Sequence, residues 1–460
     1  MTDTTGNSQL AAVMEEAAVS RKGLAQRIRS LSERHGDDPP ASPDHNRVRR
    51  WVVNGEVPKL GTQQYIAQAL AAKLGRKLSL GDVGFPEEVP ESDEPTVDGM
   101  QYPESVGQSI QVLSGVTEAD QQGRDLGVEA SEDAPSIITS YLFTQQLTVV
   151  TGVPAAGKRG LAAPIRDTTA SFMQLDFQYG GGHLRSLLLS FFRDTVIPKL
   201  REEHPEEERR DLFSAAAEVA QLLGWTSYDA GWHRSARMYF IQGLRLAREA
   251  EDRMLGGRLL SNLSHQANYL GQFGDALQYA RAAHHAVVGV ATPAVNAILL
   301  AMEARALANQ GEAQACAAVM DRAEVSLDQS QPGAEPGWVS YVDANELAGE
   351  WAHCFRDLGQ NAQAQRFADQ ALQGVPPRTQ AFMRMVGAKS TFQDGNLDEA
   401  VSLANQAIDL AGPLDSARYH QYLTDFQANI ARAYGREHLV DEFTNTLRQR
   451  YPSLSLVGNK

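Results

Sequence analysis

Between Asp44 and Val53 the chain reads Asp-His-Asn-Arg-Val-Arg-Arg-Trp-Val-Val, a set of side chains suited to recognition by hydrogen bonds. At helical spacing Val48, Trp51 and Val52 share one face. His45, Asn46, Arg49, Arg50 and Val53 fall largely on the other, with Arg47 at its flank. An arginine fork binds guanine bidentately and asparagine binds adenine, each good pair contributing about 1–3 kcal/mol of base discrimination. A short helix with a Trp/Val inner face and arginines outside is what a reader of the DNA major groove requires. The plainer reading is a solvated basic helix on a small helical bundle.

Other segments offer weaker chemistry. Gly152-Val-Pro-Ala-Ala-Gly157-Lys158 comes after an apolar run and has the look of a phosphate-binding loop, in which backbone N–H groups cradle phosphate. Arg159 stands where such a loop needs Ser or Thr for magnesium, and no alternating strand–helix pattern surrounds it. Gly180-Gly181-Gly182 before a helix reads as a flexible entry to the helical repeats rather than an anion site. His284 and His285 lack neighbours at ligand spacing, and Cys316 and Cys354 form no metal spacing, so neither a metal nor a cofactor is expected. No Ser/His/Asp or paired-carboxylate arrangement singles itself out, and the expectation is a protein that is not an enzyme.

The elements around these residues are repetitive. Gly231, Gly271, Gly311, Gly359, Gly395 and Gly435 recur at intervals of 40, 40, 48, 36 and 40 residues. Seven places before each stands a small residue: Gly224, Ser264, Ala304, Ala352, Ala388 and Ala428. Five places after stand Ala236, Ala276, Cys316, Ala364, Ala400 and Val440. The pattern predicts six units of helix, glycine turn and second helix, with small residues where the helices cross. A solenoid of this kind is a surface for grasping.

The turn Gln-Asp-Gly-Asn-Leu-Asp-Glu-Ala at 393–400 resembles that of the tetratricopeptide repeat, with a degenerate sixth copy at Val440. The resemblance implies that the first helix of each pair lines a concave groove, with the side chains one and four places after the small residue pointing into it. Those residues include Trp225, Tyr228, His265, Asn268, Arg305, His353, Arg356 and Lys389, joined by Arg258 six places before Ser264. Aromatic surface, amide and cations together suit a peptide or small acidic ligand.

The 460 residues carry a net charge of −15, unevenly distributed. Residues 1–86 hold 12 Lys/Arg against 9 Asp/Glu, whereas residues 87–135 hold one Arg against 13 Asp/Glu. The first segment reads as short helices from Ser8 towards Ala18, from Ser20, through 44–53 and on past Pro58 to Leu74. The second, with Pro-Glu-Glu-Val-Pro-Glu-Ser-Asp-Glu-Pro, reads as a self-repelling linker. Order is expected to return by about residue 184, where Leu184, Leu187, Leu188, Phe191 and Phe192 line one face. The expected fold is therefore all-α: a helix-turn-helix domain at 1–86, an acidic, largely disordered linker at 87–165 and a tetratricopeptide-like solenoid at 166–460.

Val48-x-x-Trp51 with Asn54-Gly55 after it resembles the end of the recognition helix in phage-repressor-like (XRE-type) regulators. That resemblance places His45, Asn46 and Arg50 at base-reading positions and Arg47 and Arg49 on phosphates. Phrases such as Gly-Trp-Thr-Ser-Tyr-Asp-Ala-Gly (224–231) and Leu-Ser-His-Gln-Ala-Asn-Tyr-Leu-Gly (263–271) extend it to actinobacterial helix-turn-helix regulators with a tetratricopeptide half. The resemblance implies a sequence-specific regulator, a repressor acting in sporulation and antibiotic production. It implies a homodimer that binds double-stranded DNA and senses a peptide or small molecule in its groove. With no signal segment and no membrane-length apolar run, the expected location is the cytoplasm. The alternative is an interaction scaffold of the same repeats without specific DNA binding.

Overall fold

The computed structural model describes residues 6–35, 43–58, 60–74, 78, 80–85, 99–124, 134–143, 160–331, 333–412, 414–435 and 437–457. The loop from Gly152 to Lys158 lies outside them. Among the described residues every regular element is helical, and no helix is long and apolar enough to cross a membrane. The chain separates into two units, Met1–Thr96 and Val97–Lys460.

The first unit packs α1 (Ser8–Glu16), α2 (Arg21–His35), α3 (His45–Val53) and α4 (Leu60–Leu74). Polar side chains satisfy the first N–H groups of three of them. Asn7 Oδ1 accepts from Leu10 at 2.9 Å, Ser20 Oγ from Gly23 at 3.1 Å and Asp44 Oδ1 from Arg47 at 2.8 Å. Asn7 also donates its amide to the Val83 and Gly84 carbonyls at 2.9 and 3.0 Å, and its N–H to Val52 at 3.0 Å. One residue thus ties the start of α1 to the end of α3 and to the closing segment 80–85. Leu10, Leu24, Ile28, Val48, Ile66, Leu70 and Val83 are fully buried around Trp51.

The second unit opens with α5 (Val106–Gln121), α6 (Ala134–Phe143), α7 (Ala162–Tyr179), α8 (Gly181–Phe191), a π turn at Phe192–Val196 and α9 (Ile197–Leu200). Six helical pairs come next. They are α10 (Glu206–Asp229) with α11 (His233–Glu249), α12 (Arg253–Tyr269) with α13 (Phe273–Ala286), and α14 (Pro293–Asn309) with α15 (Ala313–Leu327). Then come α16 (Ala344–Asp357) with α17 (Asn361–Gln370), α18 (Pro377–Gln393) with α19 (Leu397–Ala411), and α20 (Ala417–Tyr434) with α21 (His438–Arg450). The six repeat glycines end the first helices with φ between 63° and 86°, a conformation in which a side chain is strained. The residues five places beyond are buried against the partner helix in every pair. At Gly224 a Cβ would lie 2.4 Å from the Phe240 ring, so the small residue there is a condition of close helix approach.

Two expectations are corrected. The sequence predicts a linker over 87–165, yet α5 and α6 lie within that stretch and pack into the core of the second unit. Charge averaged over the segment conceals an amphipathic helix. Ile110, Val112, Leu113 and Val116 are buried, and Ser109 Oγ donates to Gln242. Asp120, one of the acids counted towards repulsion, is itself buried; it accepts from Ser235 at 2.7 Å and Tyr239 at 2.9 Å and pairs with Arg185. The second correction concerns Gly180–Gly182, which are a packing joint and not a loose entry. A Cβ at Gly181 would meet the Thr226 backbone at 2.8 Å, and one at Gly182 the Asp415 carboxylate at 2.2 Å. Leu184 and Leu188 on α8 and Phe192 in the π turn after it are buried, but Leu187 is 59% exposed.

That joint belongs to the closure of the helical array on itself. Asp229, the last residue of α10, has no exposed surface. It accepts from Arg418 Nε at 2.9 Å and Ser416 Oγ at 3.0 Å, both at the start of the sixth pair, and from the Gly181 N–H at 3.3 Å. Arg378 of the fifth pair lies 2.9 Å from the same carboxylate and 3.4 Å from Asp176 of α7. The first pair is therefore bolted to the last two. Asp229→Ala would leave two guanidiniums buried without their shared counter-charge, and is expected to destabilise this unit by about 3–5 kcal/mol. Urea unfolding monitored by circular dichroism measures the loss, and a value below about 1 kcal/mol would show that closure does not depend on this carboxylate.

Candidate functional site

Closure brings the inner faces of α10, α12, α14, α16, α18 and α20 around one cavity of about 710 Å³. All nine residues expected in the groove line it: Trp225, Tyr228, Arg258, His265, Asn268, Arg305, His353, Arg356 and Lys389. They are not equivalent. Tyr228 is fully buried, its hydroxyl 3.1 Å from His265 Nδ1, and it holds the wall together rather than offering itself to a ligand. Trp225 packs edge-on against both Tyr228 and His265, with ring centroids 5.6 and 5.3 Å apart. Arg418 lies over Trp225, Tyr228 and Phe382 at 5.0–5.1 Å, so the bolt is also part of the wall.

Most charges in the cavity are paired. Arg305 meets Glu350 at 2.8 Å, and Arg356 meets Asp357 at 2.6 Å. Asn309 Nδ2 donates to the other oxygen of Asp357 at 2.9 Å. Arg258 bonds the Tyr341 hydroxyl and, among the described residues, meets no carboxylate within ion-pair distance. Lys389 is partly buried, and burial together with the nearby Arg356 lowers its pKa. His265 and His353 are held well below the usual imidazole range, first by burial and then by arginines, with Arg305 the nearest influence on both. Both are neutral at pH 7. His353 Nδ1 and Asn268 Oδ1 are buried in the wall without a hydrogen-bond partner.

The repeat register leaves out the residues that close the ring. Arg378 and Arg418 each stand ten places before the small residue of their repeat, Ala388 and Ala428. An arginine in the same register of two successive repeats was the available signal. Glu346 occupies in its repeat the register that Arg258 occupies in the second, six places before the small residue. Trp338 and Tyr341 enter the cavity from the connection between α15 and α16, which repeat spacing does not describe.

In the first unit the five residues expected to contact DNA are all exposed on α3, while Val48 and Trp51 are buried beneath them. Val52, expected inward, is only partly covered. Arg50 pairs loosely with Glu56 at 3.6 Å across an open surface, an interaction weak enough to yield to a better acceptor.

Glu346 supplies a pH dependence. Its remaining accessible surface faces the cavity, and burial, reinforced by Glu350 and opposed by Arg258, pushes its pKa up to about 8. The unfolded chain loses this proton near pH 4.5, so the folded state binds the extra proton between roughly pH 4.5 and 8. Its contribution is therefore fully present below that window and is lost as pH rises through it. Glu346→Gln is expected to gain in melting temperature relative to the parent as pH rises from about 5 to 8. A constant difference across that range, read by differential scanning fluorimetry, would refute the assignment.

Compared with family models, residues 10–86 match the SP15 N-terminal domain, a match confined to the first unit. No curated protein matches the chain.

Proposed function

We propose that the protein is a sequence-specific DNA-binding transcriptional regulator in which α3 reads base edges and the ring of helical pairs senses a ligand. The observation that carries the first half is α3. A capped helix turns Val48 and Trp51 into the core and leaves His45, Asn46, Arg47, Arg49 and Arg50 exposed together. Arg21 and Lys22 at the exposed start of α2 add cations suited to phosphate oxygens. The second half is supported by a cavity whose volume falls within the roughly 300–1,000 Å³ of small-molecule sites and whose walls mix aromatic faces with oriented polar groups.

On this reading the solenoid is of the tetratricopeptide kind, the regulator is a repressor, and two copies pair so that two α3 helices reach half-sites about one helical turn apart. Ligand binding acts by favouring one arrangement of the pair through its differential affinity. The test is selection of binding sequences from random duplex DNA by the full chain, and then the same measurement on Arg50→Ala. A consensus should emerge. The variant should bind it more weakly by about 1–3 kcal/mol and lose preference at one position. Affinity should also fall steeply with added salt as phosphate contacts release counterions. Selection without a consensus, or undiminished binding by Arg50→Ala, would overturn the reading and leave a repeat scaffold in its place.

A further inference from the structure

The cavity retains cationic and donor capacity after its internal pairs are satisfied. The carboxylates on its walls are committed. Glu350 is taken by Arg305, Asp357 by Arg356 and Asn309, and Asp176 by Arg378. Glu346 holds its proton at pH 7, and Asp425 is exposed and bonded to Gln421 at 2.7 Å. By contrast, Lys389 makes no ion pair among the described residues. His353, only 7% exposed, lines the same cavity. The arginines around that imidazole have no histidine charge to contend with, because both histidines stay neutral. A continuous aromatic surface adjoins it. The Tyr422 ring lies 6.3 Å from His353 and 5.6 Å from Phe382. Arg418 then bridges Phe382 to Trp225.

We infer that the cavity binds a small organic anion, its acidic group held by Lys389 and its ring system laid against the Tyr422–Phe382–Trp225 wall. A neutral ligand of the same shape leaves Lys389 unsatisfied, and so discards the polar part of the site. The inference deepens the sensing half of the proposed function and rests on it.

Two probes with the same rings separate anion recognition from apolar uptake: anilinonaphthalene sulfonate and the uncharged N-phenylnaphthylamine. Fluorescence titration of the full chain should show one saturable sulfonate site, with the amine binding about tenfold more weakly. Lys389→Gln, a change at a residue with no ion pair to break, should weaken the sulfonate about five- to tenfold and the amine less than about twofold. Circular dichroism of the variant confirms that it is folded. Equal affinity for the two probes, no effect of Lys389→Gln, or binding of neither probe would each overturn the inference. The titration contains no DNA, so it can fail while Arg50-dependent DNA binding stands, and succeed while DNA binding fails.

Discussion

A single carboxylate, that of Asp229, decides the form of the second unit. Taking an ion out of water costs several kcal/mol, and the cost is offset only when its hydrogen-bonding capacity is filled. Asp229 accepts hydrogen bonds from Arg418 and Ser416 of the sixth pair and from the N-terminus of α8 through Gly181, and Arg378 of the fifth pair adds an ion pair. The two arginines and the positive end of α8 hold its pKa below the usual carboxylate range against the opposing effect of burial. None of these partners is near Asp229 in sequence. The geometry therefore exists only when the array has closed, which makes this cluster a criterion of correct assembly as much as a source of stability.

Closure has a consequence for the inner surface. An open solenoid leaves the polar groups of its concave face in water, where they need no protein partner. Closure buries some of them, and those must find a counterpart or remain unsatisfied at a cost. Arg305, Arg356, Glu350 and Asp357 found counterparts within the ring. His353 Nδ1 and Asn268 Oδ1 did not.

Legibility in the sequence tracked the range of the interactions. The six helical pairs were readable because the glycine turn and its small-residue flanks are local and recur with fixed spacing. The inner-face residues from Trp225 to Lys389 came from that register together with the resemblance to the tetratricopeptide repeat, which says which helix of each pair faces inward. α1 to α4 were readable from Ser20, Ser42-Pro43 and the Val48–Trp51 stripe for the same reason, although the cap of α3 is Asp44. Closure was not. Asp229 and Arg418 are 189 positions apart, and no local pattern announces such a pairing. The acidic segment misled for a different reason. Composition treats every carboxylate as solvated, whereas Asp120 is buried with three partners on α8 and α11.

The cavity and the bolt are not independent. Arg378 and Arg418 line the one and hold the other, and Arg418 also lies over the aromatic wall. A ligand that touches either guanidinium changes the charge seen by Asp229, and by linkage the state of closure changes the affinity for that ligand by the same factor. A ligand held only by Lys389 can act on closure indirectly, through Tyr422 and the Phe382 ring over which Arg418 lies. Either route ends at the guanidiniums that hold Asp229. The device that makes the ring a ring is thus also the one through which occupancy of its interior can be felt outside it.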